Sequence, residues 1–337
     1  MRYAIIAAGE GSRLAQEGIN APKPLVKVND EHLIDRLLRI FMANDAEEIV
    51  VICNDLTTLV SAHLADIQQN GLYGRPVPLR FIVKSTPSSM HSFFELSKIL
   101  PASQGSDYPF VLTTVDTIFR EEEFGDYIAA FKEVLAEGDD GMMGVTDYID
   151  DEKPLYVEAS PQPSPKGEGA TSSKQTASTS EQTASPYEQT ASPSEQTASP
   201  SEQTASPSEQ TASPSPLGEG ATSSKQTASP SEQTASPSEQ TASPSPLGEG
   251  RGEALITAFL DTCDHPHFIS GGIYGLTNRA FTTLNACMER GESRMRNFQR
   301  ALIRDGLRLR AYPFSKVLDI DHASDIQKAE EFLKNGR

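Results

Sequence analysis

Residues 159–252 constrain the fold more than any other feature of this chain. They are Ser, Thr, Ala, Pro, Gln, Glu and Gly with almost no large apolar residue. A seven-residue unit, "SEQTASP", repeats with little change between Ser180 and Pro214 and again from Ser231. A seven-residue period makes a coiled coil only when its a and d positions are apolar. This unit offers Ala and Pro, and a Pro in every seven residues stops a helix. Such a segment buries too little apolar surface to offset the entropy of ordering it, so it is expected to be disordered. Its near-identical copies point to a repeat expansion at the DNA level.

Any folded core must therefore come from the other 243 of the 337 residues, which is enough for one well-buried α/β domain. The flanks of the tract, "KPLYVEA" and "ALITAFL", both read as strands and look like the two arms of one hairpin. The expected organisation is a single domain over 1–158 and 253–337, interrupted at a hairpin tip by the insertion 159–252. Tips are where insertions are tolerated. Lengthening one from about 4 to about 94 residues costs roughly 3 kcal/mol in loop-closure entropy.

The chain carries a formal charge of −18, of which the tract contributes −6 and the rest −12. A core this acidic argues against a broad nucleic-acid surface or an anionic membrane surface. It leaves room for a small phosphorylated substrate, which needs only a local cluster of cations. Cys53, Cys263 and Cys287 match neither a disulfide framework nor a zinc spacing, and read as reduced thiols. The first apolar run is too short for a signal-peptide core, and nothing later spans a bilayer. The expected location is cytoplasmic.

Apolar runs alternate with helical patterns, which predicts a mostly parallel sheet flanked by helices. "YAIIAA" (Tyr3–Ala8), "EIVVIC", "PLRFIVK" and "YPFVLTTVDTIF" read as strands. "LIDRLLRIFMAND", "LTTLVSAHLADIQQNG" and "SSMHSFFELSKIL", the last capped by Ser88 or Ser89, read as helices between them. After the tract, "FISGGIYGL" and "LRLRAYPF" read as strands, and a closing helix is expected to be capped by Ser324.

The stretch "AAGEGSRLAQEGINAPKPLVKV" follows the first strand directly. A dinucleotide fingerprint would need a third glycine where Leu14 stands, and a P-loop would need Gly-Lys-Ser/Thr. The remaining reading is a glycine turn whose backbone N–H groups hold phosphates. Gly9 and Gly11 let the chain come close, Arg13 can bind phosphate oxygens in two prongs, and Lys23 is braced between two prolines.

With these motifs the chain resembles the sugar-1-phosphate nucleotidyltransferases, the NDP-sugar pyrophosphorylases. "FVLTTVDTIF" is similar to their strand carrying the first metal-binding Asp, "SGGIY" to the sugar-facing strand, and "LDIDHASDIQKAEEFL" to the C-terminal Asp segment. The resemblance implies a three-layer α/β/α Rossmann-like fold and a Mg²⁺-dependent transfer. An NTP and a sugar 1-phosphate, or similar phosphomonoester, would give an NDP-sugar and pyrophosphate. It implies Arg13 and Lys23 as catalytic, and Ala8, Gly9, Gly11, Ser12 and Ser89 as nucleotide-binding. Asp116 and Asp319, with Asp321 as a possible helper, would hold Mg²⁺, and Gly271 and Gly272 would face the sugar. Each has a structural alternative: a turn cap for the aspartates, a β-bulge for the two glycines.

One departure stands out. Many relatives bind the sugar phosphate through a Glu-Lys-Pro after the second hairpin arm; here that segment reads "FLDTCDHPHF", with no Lys. Glu152-Lys153-Pro154 lies on the other side of the hairpin, so the role of Lys153 stays open. Three other readings stay open too. One is a phosphocholine-type cytidylyltransferase. Another is a glycosyltransferase, although Val115-Asp116-Thr117 lacks the usual Asp-x-Asp. The last is a non-catalytic regulatory subunit.

Overall fold

The computed structural model describes residues 1–100, 108–150, 153–160, 254–264 and 266–334. Nine strands form the main sheet. In chain order they are β1 Arg2–Ala7, β4 Glu48–Cys53, β5 Leu79–Val83, β6 Phe110–Thr114, β8 Gly141–Thr146, β9 Tyr156–Ser160, β10 Ala254–Leu260, β11 Phe268–Leu276 and β12 Leu309–Phe314. Two short pairs stand apart: β2 Lys27–Val28 with β3 Glu31–His32, and β7 Thr117–Ile118 with β13 Leu318–Asp319. The helices are α1 Ser12–Gln16, α2 Leu33–Ala43, α3 Thr58–Asn70, α4 Ser89–Ser97, α5 Glu121–Ala136, α6 Arg279–Glu289, α7 Met295–Arg304 and α8 Ala323–Lys334.

The sheet order is β5-β4-β1-β6-β11-β8-β12-β10-β9. Seven strands point one way, and β10 and β11 oppose them. The sheet is therefore mixed, with the parallel half at the N-terminal end of the chain. Strands β1 and β4 are buried on both faces, which is why they read as unbroken apolar runs rather than alternating ones. On one face α2, α3, α5 and α8 cover a core in which Tyr3 stacks on Phe41 at 4.2 Å. On the other, α4, α6 and α7 cover a second core around Phe93, Phe110 and Phe298. Two apolar faces with helices on both give the expected three layers.

The two segments read as hairpin arms are β9 and β10. Strands β9 and β10 pair antiparallel, with Ser160 opposite Leu255 and Ala159 opposite Ile256. That moves the expected start of the insertion by two residues, because Ala159 and Ser160 are strand residues. The rest of the tract lies outside the described residues. A short helix, α1, follows Gly11, and Lys23–Leu25 is one turn of 3₁₀ helix. One expectation needs correction. Ser324 does not cap α8, which begins at Ala323. Its first amides are taken by acids instead: Asp325 Oδ2 accepts from the N–H of Asp321 and His322, and Glu17 Oε2 from that of Ala323.

Candidate active site

In an open α/β sheet, ligands bind beyond the carboxyl ends of the strands where the strand order reverses. Here that point is β1: the chain builds outward through β4 and β5 on one side, and β6 lies on the other. The loop leaving β1 holds residues 8–11, and the segment leaving β6 holds Asp116. The two candidate motifs, a hundred residues apart, meet because β1 and β6 are adjacent parallel strands.

Gly11 sits at φ +65°, a region L side chains avoid, and caps α1 from outside. A Cβ there would lie 3.1 Å from the Cβ of Lys23. Both the backbone conformation and the close approach of the Pro-Lys-Pro segment therefore require glycine. A Cβ at Gly9 would meet nothing within 4 Å, so the loop's outer surface is open. Gly9 and Ser12 are exposed and Ala8 is half-buried, lining a rim that a phosphate chain can reach. Asn54, a residue the sequence did not single out, braces this loop. Its buried amide donates to the carbonyls of Ala8 and Gly9 at 3.3 and 3.2 Å. An Asn just after a strand carries no sequence signal of this duty.

Lys23 is the centre of the site. The 3₁₀ turn buries its stem and aims Nζ at two carboxylates, Asp116 and, at 2.6 Å, Asp321 Oδ1. Burial by itself would lower the Lys23 pKa, but the charges and hydrogen bonds of Asp116 and Asp321 outweigh it and raise it. The ammonium is thus held permanently charged. Arg13 Nη1 joins Asp321 Oδ2 at 3.0 Å, so Asp321 bridges both predicted cations. Burial pushes the Asp321 carboxyl up, yet Lys23 and Arg13 hold it below the usual carboxylate range.

Asp319 arrives through the β7–β13 pair, which sets it opposite Thr117. The Ile320 N–H donates to the Asp116 carbonyl at 3.1 Å and locks the two segments side by side. The enclosed position of Asp319, then the like charge of Asp116, raise its pKa well above the usual carboxylate range. The side chain also reaches solvent at the cleft surface, so the like charge is the more durable cause. Two hard oxygen donors crowded in this way suit a divalent cation such as Mg²⁺.

Next to these residues lies a cavity of about 430 Å³, lined by Arg13, Lys153, Gly271, Arg296, Asp319 and Asp321 among others. Gly271 and Gly272 form a β-bulge in β11, where the register shifts between Ser270 and Ile273. The bulge and the pocket are one feature: Gly272 takes φ +70°, and a Cβ at Gly271 would lie 3.1 Å from Val317 Cγ2, at the cavity wall. Lys153 does reach this cavity despite lying before the hairpin, because Arg296 of α7 donates to its backbone carbonyl at 3.0 Å. Ser89 does not join these groups. It is exposed at the start of α4, whose cap is Ser88.

Residues 3–163 match the MobA-like NTP transferase domain family. That stretch, just under half of the chain, is similar to an NTP transferase domain. The match takes in the glycine loop, Lys23 and Asp116, and ends before Asp319. Solved structures extend the likeness in fold to nearly the whole chain. The UTP-bound UGPase from Acinetobacter baumannii is 11% identical with a TM-score of 0.59, covering all of this chain and 94% of that one. The inositol-1-phosphate CTP transferase from T. maritima is 14% identical at TM-score 0.54, covering 99% and 96%. The CTP:phosphocholine cytidylyltransferase from Streptococcus pneumoniae is 12% identical at 0.55, covering 98% of each. No curated protein matches the chain in sequence. Among the described residues, no helix is long and apolar enough to cross a membrane.

Proposed function

We propose that the protein joins an NTP to a sugar 1-phosphate or a similar phosphomonoester, releasing pyrophosphate. The observation that carries this reading is the buried Lys23 ammonium, held beside a glycine turn by Asp116 and Asp321. An acceptor phosphate oxygen attacks the α-phosphorus in line. The bond between the α-phosphorus and the β-bridging oxygen breaks, and pyrophosphate leaves with that electron pair. No general base is needed, because a phosphomonoester is already mostly ionised at neutral pH. The work left to the protein is to position two anions and offset their repulsion.

In this reading Lys23 contacts both reacting phosphates, and Arg13 stabilises the departing pyrophosphate. The amides of residues 8–12 face the triphosphate. Asp116 and Asp319 would hold the Mg²⁺, which supplies charge neutralisation at the α-phosphate. Asp321 keeps Lys23 and Arg13 aimed until substrate phosphates replace it as their partner. The acceptor takes the cavity beside Gly271, where Lys153 and Arg296 supply positive charge.

The similar structures include a UTP-bound UGPase, an inositol-1-phosphate CTP transferase and a CTP:phosphocholine cytidylyltransferase. The acceptor is therefore sought across a grid of hexose, amino-sugar and inositol 1-phosphates plus phosphocholine, each with four NTPs and Mg²⁺. Pyrophosphate release that depends on the acceptor supports the reading and identifies both substrates. NTP binding without release for any acceptor favours a regulatory subunit.

A further inference from the structure

Away from this cleft, His32, Asp35 and His63 come together at the start of α2. His32 precedes the helix, Asp35 lies in its first turn, and His63 reaches across from the middle of α3. His32 Nδ1 lies 3.0 Å from one oxygen of Asp35, and His63 Nε2 lies 2.6 Å from the other. One ligand atom from each of the three lies within 4.8 Å of the others.

An acid in the first turn of a helix ordinarily accepts from the helix's own free N–H groups. The helix shows no side-chain cap at its start, and both Asp35 oxygens are directed at imidazoles instead. The carboxylate is buried, at 8% exposure, while the imidazoles keep 28% and 25%. Nearby Arg39 does not neutralise Asp35, since it is bound to Glu31 and Glu121. The two rings stand 88° apart with centroids at 5.1 Å, so their nitrogens approach the carboxylate from different directions.

We propose that His32, Asp35 and His63 form a binding site for a borderline divalent transition metal, best matched by Zn²⁺. Two imidazoles and one carboxylate are a common three-ligand set, with water completing a tetrahedron on the exposed side. Zinc at about 2.0–2.1 Å from each donor sets neighbouring donors roughly 3.3 Å apart. The imidazole-to-carboxylate separations, 3.0 and 2.6 Å, are within tenths of an ångström of that spacing. The widest separation, up to 4.8 Å, must close by as much as about 1.5 Å as the shared protons are lost and the ion draws the rings in. The bound ion pins α3 to the entry of α2. That entry is itself tied to the Lys23 turn, because the Leu33 N–H donates to the Val26 carbonyl at 2.9 Å. The site lies outside the chemistry proposed above and does not depend on it.

The test uses the full chain, stripped with chelator and titrated with Zn²⁺ by calorimetry and with Co²⁺ by visible absorption. The background variant Asp116→Asn removes the other carboxylate site. His32→Gln and His63→Gln each keep a donor for Asp35 but ligate poorly, so the fold survives. Cys263→Ser and His267→Ala control for the Cys/His segment at 263–267. The expected result is one Zn²⁺ per chain, four-coordinate Co²⁺ bands, and a rise of about 5–10 °C in the unfolding midpoint at a Zn²⁺ excess of about 100 times Kd. Either Gln variant should weaken binding at least about 100-fold and abolish the rise, while the two controls should not. Binding that survives both Gln variants, that disappears with Cys263→Ser or His267→Ala, or that is absent from the unaltered chain overturns the proposal.

Discussion

At the residue scale, Lys23 and Gly11 are one device. The glycine makes room for the lysine's stem, and the 3₁₀ turn aims the lysine's head. Gly11→Ala puts a side chain at φ +65° and 3.1 Å from the Lys23 Cβ. It should cost about 1–2 kcal/mol in stability, measured by denaturant unfolding, and a larger fraction of activity because Lys23 is displaced. Lys23→Ala should lower the transfer rate by about 10²-fold or more, read by steady-state kinetics at a temperature where thermal unfolding shows the variant folded. It should also lower stability by about 1–3 kcal/mol because Asp116 and Asp321 lose their buried cation. Near-normal turnover in that variant would remove Lys23 from the mechanism. Much of this was legible in the sequence, because a glycine, an arginine and a braced lysine carry their chemistry in their identities. Asn54 was not legible. Its loop-bracing role exists only because β4 lies beside β1, and no spacing rule links positions 8 and 54. The pairing of Asp321 with Arg13 and Lys23 was hidden for the same reason: its partners lie about 300 positions away in the chain.

At the scale of elements, β7–β13 and the end of α5 do the holding. The antiparallel pair of two-residue strands is what sets Asp319 beside Asp116. The turn after α5 is fixed by Asp139, almost fully buried, which accepts from Arg308 at 2.6 Å and from Arg310 at 2.5 Å. Asp139→Ala leaves Arg310, 7% exposed, with only the solvent-exposed Glu137 as a carboxylate partner. It should destabilise the domain by about 3–5 kcal/mol in chemical unfolding, whereas a surface pair such as Lys328–Asp150 should contribute less than about 1 kcal/mol. Helices and central strands were readable in advance because their apolar periods are long. The short elements escaped because each depends on partners the sequence does not reveal. Helix α1 has five residues and a single buried one, Leu14. The β2–β3 turn depends on Asn29 and Asp30 both adopting positive φ, and the first turn of α8 on acids from two segments.

At the scale of the molecule, β9 and β10 close the sheet's edge on either side of the repeat, and their pairing, with one register shift between Ile256 and Ala258, runs to Ser160 and Leu255. The domain therefore needs only a short link at that tip. Replacing residues 161–253 by a four-residue turn should leave the fold and the reaction intact. It should raise unfolding stability by roughly 3 kcal/mol, the loop-closure entropy of a long tip. Loss of folding in the shortened chain would show that the repeat is part of the domain. The central claim, transfer of a nucleotidyl group, is tested most directly by following the label in the NTP identified by the acceptor grid. With the α-phosphate labelled, the account predicts label in a new acceptor-linked diphosphate; with the γ-phosphate labelled, it predicts label in pyrophosphate, and both should fall together in Lys23→Ala. Release of γ-label as orthophosphate, with the α-label left in nucleoside diphosphate, would contradict it.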